Sequence, residues 1–181
     1  MYDASYPQAT PEIVVRPRSS IEVSKTVKLA YKEKIPVVPR GAGTNVSDGV
    51  LPSKGGIVMD LTGMNRILDV HRGNLWAKVE PGVVVTVLQE ELGRKGLFWP
   101  PDPASADACT IGGALAENAG GMRGVKYGTA REWVLGLEVV LSDGDIIRTG
   151  SNTLKCSSLN KSFVKAGLRL SGKASRILGN P

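Results

Sequence analysis

Two glycine-rich stretches hold the residue types that could do chemistry. The first is Pro39-Arg40-Gly41-Ala42-Gly43-Thr44-Asn45-Val46-Ser47, where glycine, hydroxyl and amide residues follow a β-branched run. Backbone N–H groups in such a loop can form a nest for phosphate. A two-sided turn between strands explains the same residues. The second covers residues 101–128, lean in large side chains, with Thr110 directly ahead of Ile111-Gly112-Gly113. Thr110 reads as the N-cap of a short helix over residues 111–118, with Gly120 as its left-handed stop. A Gly-Gly pair in the first turn would leave N–H groups open to an anion at the positive end of the helix dipole. A tight helix–sheet packing joint is the competing reading, and spacing does not separate the two. Neither stretch is a standard nucleotide motif. Val46 stands where the Rossmann fingerprint needs its third glycine, and no Gly-Lys-Ser/Thr follows as a Walker loop requires.

Other chemistry is narrowed by composition. His71 is the single histidine, which excludes a histidine triad or a multi-histidine metal site within the chain; its place in a turn predicts exposure. Cys109 and Cys156 are the two cysteines, too few for a disulfide framework, so a cytoplasmic, reducing compartment is expected. No window is apolar enough to span a membrane, and the N-terminus lacks a signal-peptide pattern. The net charge of +6 is unevenly placed: all 17 acidic residues lie at or before Asp145, while residues 154–181 carry Lys155, Lys161, Lys165, Arg169, Lys173 and Arg176. With Phe163 as its one aromatic, that basic tail has no stacking pattern, and nucleic-acid binding is not expected.

The elements that must position the two stretches follow from periodicity. Ile13-Val14-Val15 before Pro17 predicts a strand. Ser19-Ser20 caps a helix whose apolar positions are Ile21, Val23, Val27, Leu29, Ala30 and Tyr31. Residues 35–38 predict a second strand, completing a parallel βαβ unit. Residues 56–61, 66–70 and 75–79 predict three more strands, the last two as a hairpin turning at residues 69–74. Residues 83–95 have helical spacing and stop at Gly96. Residues 132–141 and 146–148 predict a hairpin through Asp143-Gly144. The fold class is α+β in two lobes: an N-terminal βαβ lobe (about residues 11–70) and a second, mainly antiparallel lobe (about 71–153).

A resemblance enters on these same residues. Pro39-Arg40-Gly41-Ala42-Gly43-Thr44, Pro101-Asp102-Pro103-Ala104-Ser105, Thr110-Ile111-Gly112-Gly113, Glu117-Asn118-Ala119-Gly120-Gly121, Lys126-Tyr127-Gly128 and Val134-Leu135-Gly136-Leu137-Glu138-Val139-Val140 occur in that order. Together they resemble the PCMH-type FAD-binding domain of the vanillyl-alcohol oxidase superfamily, and within it glycolate oxidase large subunits and D-lactate dehydrogenases. The likeness covers about residues 11–153. It implies FAD between the lobes, with Pro39, Arg40, Gly41, Ala42, Gly43, Thr44, Asn45 and Ser47 around the pyrophosphate. Pro101, Ser105, Thr110, Ile111, Gly112 and Gly113 would line its other side, and Asn118, Gly121 and Gly124 would approach the flavin ring. The histidine that tethers flavin in some members is Thr44 here, and Cys109 lies one residue off the tethering position, which implies noncovalent FAD. The implied reaction oxidises a 2-hydroxy acid, glycolate or D-lactate, by hydride transfer to FAD. Arg123 and Lys126 either bind an anionic substrate or stabilise reduced flavin there, or are ordinary surface charges.

The resemblance fades past Val164, where Lys165-Ala166-Gly167-Leu168 replaces the family's Gly-Ser-Glu-Gly-Thr-Leu-Gly segment. The expectation is a basic, divergent tail over residues 154–181, a truncation or reading-frame change near Val164, and no cap domain. Three readings stay open: the FAD domain of a 2-hydroxy-acid flavoenzyme, a stand-alone FAD-binding subunit that needs a partner subunit to supply the cap, and an inactive fragment whose lost strand exposes a sheet edge; an electron-acceptor protein is a further possible partner.

Overall fold

The computed structural model describes residues 8–150, 163–169 and 171–172. Three strands, Ile13–Val15 (β1), Val37–Arg40 (β2) and Ile57–Asp60 (β3), form a parallel sheet in the order β1-β3-β2. β3 earns its central place because Ile57, Val58 and Met59 are all buried, whereas Ile13 and Val14 on the flanking strand are exposed. The expected βαβ unit is therefore parallel, but its two strands are separated by β3. Its helix is Ser20–Lys32 (α1). Ser19 caps it by accepting from the Glu22 N–H at 3.3 Å, and Glu22 reaches back to the Arg18 N–H at 2.8 Å. Val23, Val27 and Ala30 face inward, and Lys25, Lys28 and Lys32 face out. β2 starts at Val37, two residues later than periodicity predicts. Lys34 takes a left-handed φ of 55°, and the Ile35 N–H is spent on Ala30 O, so Ile35 closes the helix instead.

The second lobe is built on a five-stranded antiparallel sheet in the order β4-β5-β9-β7-β8. Its strands are Ile67–His71 (β4), Trp76–Val79 (β5), Val134–Val140 (β7), Ile146–Gly150 (β8) and Phe163–Arg169 (β9). β9 pairs with β5 on one side and β7 on the other. The stretch where one of the three readings expects an open sheet edge supplies the middle strand, and Ser171–Gly172 (β10) adds a pairing to Leu97–Phe98 (β6). The helix Val85–Arg94 (α2) lays Val85, Leu88 and Leu92 into the core beside Trp99, Val79, Ile111 and Ala114. The helix stops where Gly96 takes φ 70°. The short helices Ile111–Ala116 (α3) and Gly124–Tyr127 (α4) complete the lobe.

Polar contacts from α1 to the β7–β8 hairpin help join the lobes. The Ser20 hydroxyl donates to Glu138 at 2.6 Å, Ser24 to Gly144 O at 2.5 Å, and Lys28 pairs with Asp145 at 3.0 Å. Gly144 sits in the expected Asp-Gly turn with φ 88°, and a Cβ there would lie 2.3 Å from the Lys28 side chain, so this turn accepts α1 only as glycine.

Candidate functional site

A cavity of about 760 Å³ opens between the lobes. Its walls come from the loop after β2, the end of α1, α3 and the turn after β7, and most lining side chains are apolar or small. The structure brings eleven sequence-predicted residues to it: Pro39, Arg40, Gly41, Ala42, Gly43, Thr44, Asn45, Ser105, Thr110, Gly112 and Gly113. Ser47 lies just outside, hydrogen-bonded to Asn45 at 3.2 Å and to the lining residue Glu117 at 3.3 Å. Pro101 is buried away from the cavity, and Ile111 belongs to the hydrophobic core. Asn118, Gly121 and Gly124 are outside the lining. Asn118 accepts from the Arg131 N–H at 3.0 Å, while Gly121 bridges to Asp102. Periodicity missed the end formed by Tyr31, Lys34, Ile35, Leu141 and Ser142. These residues carry no motif and become lining residues only when α1 docks on β7.

The two glycine-rich walls differ in their backbone. In the loop after β2, the N–H groups of Ala42, Gly43 and Thr44 meet no acceptor among the described residues. Gly43 has φ 73°, and a Cβ on it would sit 2.1 Å from the Arg40 guanidinium, so the loop folds over that cation. Such a concave run of donors beside a positive charge suits an anion. Across the cavity the first turn of α3 is already satisfied. The Ile111 N–H donates to Val83 O at 2.7 Å, Gly112 to Pro81 O at 2.7 Å, Gly113 to Thr110 Oγ1 at 3.3 Å and Ala114 to Thr110 O at 2.8 Å. The accessible N–H groups expected from the Gly-Gly pair are therefore absent. Gly112 instead serves close packing, since a Cβ there would lie 2.7 Å from Pro81 Cβ. The helix also ends earlier than expected: Asn118, not Gly120, takes the left-handed residue at φ 52°.

The support under this wall is closely packed and tied by a buried carboxylate. Glu80, 1% exposed, holds Arg66 in a 2.8 Å pair and accepts the Arg66 N–H at 2.9 Å, which anchors the chain just before Pro81. Gly41 packs on Thr110, where a Cβ would meet Oγ1 at 2.3 Å. Cys109 lines the cavity as a free, buried thiol. Burial pushes its pKa above the ordinary value, against the pull of hydrogen bonding to Thr44 and Ser105, so it stays protonated at neutral pH. Further along, Arg123 pairs with Asp102 at 3.2 Å and lies over the Phe98 ring, and Lys126 lies over Tyr127. His71 is exposed, stacked on Trp76 and accepting the Asn74 N–H at 3.0 Å, on a hairpin outside the cavity lining. Among the described residues there is no cluster of metal-ligating side chains and no helix long and apolar enough to cross a membrane.

Comparison with known proteins agrees with this architecture. The FAD binding domain family matches residues 11–150. The chain is 46% identical over 155 residues to glycolate oxidase subunit GlcD of Bacillus subtilis, covering 85% of this chain and 33% of that protein. It is 43% identical over 155 residues to a D-lactate dehydrogenase of Anaerostipes hadrus, covering 86% and 32%. The chain thus spans about a third of the length of the curated relatives it matches. Among solved structures, alkyldihydroxyacetonephosphate synthase superposes with TM-score 0.74 at 27% identity, covering 88% of this chain and 34% of that one. At 24% identity, 6-hydroxy-D-nicotine oxidase from Arthrobacter nicotinovorans shares the fold, with TM-score 0.78 over 95% of this chain and 39% of that one. With its parallel and antiparallel lobes enclosing a donor-lined cavity, the chain belongs to the FAD binding domain family.

Proposed function

We propose that this chain is the noncovalent FAD-binding part of a flavin-dependent oxidoreductase that acts on a small 2-hydroxy acid. The observation that carries the reading is the row of open N–H groups at Ala42, Gly43 and Thr44, folded over Arg40 at the edge of the cavity. A dinucleotide diphosphate needs such donors, and Arg40 supplies a compensating charge. Asn45 and Ser47 close the same wall. Ser105, Thr110, Gly112 and Gly113 shape the opposite wall by their small size, with Pro101 and Ile111 as their buried supports. Asn118, Gly121 and Gly124 belong to the segment leading toward the ring end. The protonated Cys109 thiol and the threonine at position 44 favour a cofactor held without a covalent bond.

FAD, when bound, supplies the two-electron acceptor for substrate oxidation. The chain's own residues bind and orient it. The names of the relatives make glycolate and D-lactate the substrates to assay. The word subunit in one of those names supports a partner chain, and so do Met122 and Val125, 90% and 104% exposed around the start of α4. A cytoplasmic setting fits a free buried thiol.

The test is an absorption spectrum of the purified protein, before and after addition of FAD, followed by denaturation and filtration. Flavin bands that appear in the filtrate support noncovalent FAD. Flavin retained with the denatured chain overturns the noncovalent part, and a protein that takes up no FAD overturns the reading. Glycolate and D-lactate assays with an artificial acceptor then separate an enzyme active alone from one that needs a partner.

A further inference from the structure

We infer that Glu117 is a positioning residue for the donor loop, an assignment that rests on the flavin reading above. The loop is tied to α3 at two places. At its start, Gly41 packs against Thr110, the N-cap of α3. At its far end, the Ser47 hydroxyl donates to Glu117 Oε2 at 3.3 Å, and Glu117 is the C-cap of the same helix. Asn45 extends the tie by donating its amide N–H to Ser47 Oγ at 3.2 Å, and Gly49 passes close, its Cβ position 3.4 Å from Glu117 Oε1. The two caps stand seven residues apart, roughly 10 Å along a helix axis. Between these fixed points the chain must arch, and Ala42, Gly43 and Thr44 form that arch. The carboxylate sets the arch through Ser47; it offers no donor to an anion itself.

Charge makes the role testable, because it predicts the opposite sign. A carboxylate lining a cavity for a diphosphate repels that ligand. If Glu117 were only a nearby charge, its removal would tighten binding. If it holds the arch, removal loosens the loop and weakens binding, while glutamine keeps an acceptor for Ser47 and drops the repulsion.

The experiment compares Glu117→Ala, Glu117→Gln and Ser47→Ala in FAD affinity, in affinity for inorganic pyrophosphate, and in 15N order parameters of residues 42–46 without ligand. Thermal melts confirm that each variant is folded. Loss of the tie should weaken FAD binding about fivefold in Ser47→Ala, which keeps the carboxylate, and by less in Glu117→Ala, which also drops the repulsion. The order parameters should fall in both, and the two changes together should cost no more than Ser47→Ala alone. Glu117→Gln should restore the order parameters and bind at least as tightly as wild type. Tighter binding by Glu117→Ala, or order parameters it leaves unchanged, would overturn the assignment. Wild-type protein that binds no FAD, with the Glu117→Ala loss of loop order intact, would remove the flavin reading and leave the positioning role standing.

Discussion

Two glycine-rich segments face each other across the cavity, and they use glycine for opposite ends. The loop after β2 leaves the Ala42, Gly43 and Thr44 donors without an acceptor among the described residues, and its Gly43 is needed for a left-handed turn over Arg40. The first turn of α3 spends every donor on Pro81, Val83 and Thr110, and its Gly112 is needed so that the helix can touch Pro81. One segment offers chemistry and the other offers shape. Similar composition therefore hides a division of labour that only the hydrogen-bond partners reveal.

Substitution at the packed wall should have the largest effect. Gly112→Ala places a methyl 2.7 Å from Pro81 Cβ and 3.0 Å from Pro81 O. Denaturant unfolding should show a loss of about 2 to 3 kcal/mol. Its neighbour Gly113→Ala meets only Thr110 Oγ1 at 3.3 Å and should stay within about 1 kcal/mol of wild type. Equal losses at the two positions would break the distinction between a joint and its surroundings.

The contact between the two walls comes next. Gly41→Ala would sit 2.3 Å from Thr110 Oγ1 but 3.4 Å from Thr110 Cβ, so removing the hydroxyl makes room. Thr110→Ala alone loses the N-cap bond to Gly113, about 1 kcal/mol. The double variant should be about 1 kcal/mol more stable than the sum of the two singles. Additive losses would show that the loop does not rest on the cap.

Acid should separate the walls in a smaller way. Asp60, at the end of β3 and in register with Arg40, is partly desolvated, which raises its pKa. Hydrogen bonds from Thr62 and the Arg16 pair outweigh that and hold it below the ordinary value of 3.8. A carboxyl with a lowered folded pKa stabilises the protein above its unfolded pKa and gives that up as pH falls through the folded value. Thermal melts between neutral and strongly acid pH should show Asp60→Asn flatter than wild type below the ordinary carboxylate range. The backbone joint of α3 has no such titration. The smallest effect is expected at His71: His71→Ala should leave FAD retention unchanged, because its stack with Trp76 lies on a hairpin outside the cavity lining.

Much of this architecture was legible in the chain. Local signals placed β1, α1, β4, β5, α2 and the β7–β8 hairpin: a β-branched run before proline, helical spacing and an Asp-Gly turn need no distant partner. The sequence order of strands hid the insertion of β3 between β1 and β2, since burial on both faces, not adjacency, decides the centre of a parallel sheet. β9 was not anticipated, because its place depends on pairing with β5 and β7, distant in sequence. At the site, residue types pointed to both glycine segments. Which N–H groups remain open depends on where Pro81 and Val83 lie, and no local pattern contains that.

The central claim is that the loop supplies donors while α3 supplies form. Amide hydrogen exchange of the protein with and without FAD tests it most directly. The account predicts that the Ala42, Gly43 and Thr44 amides exchange fast in the free protein and become protected with FAD, while the Ile111 and Gly112 amides are protected in both states. Protection gained at Ile111 and Gly112 on binding, with the loop amides unchanged, would contradict it.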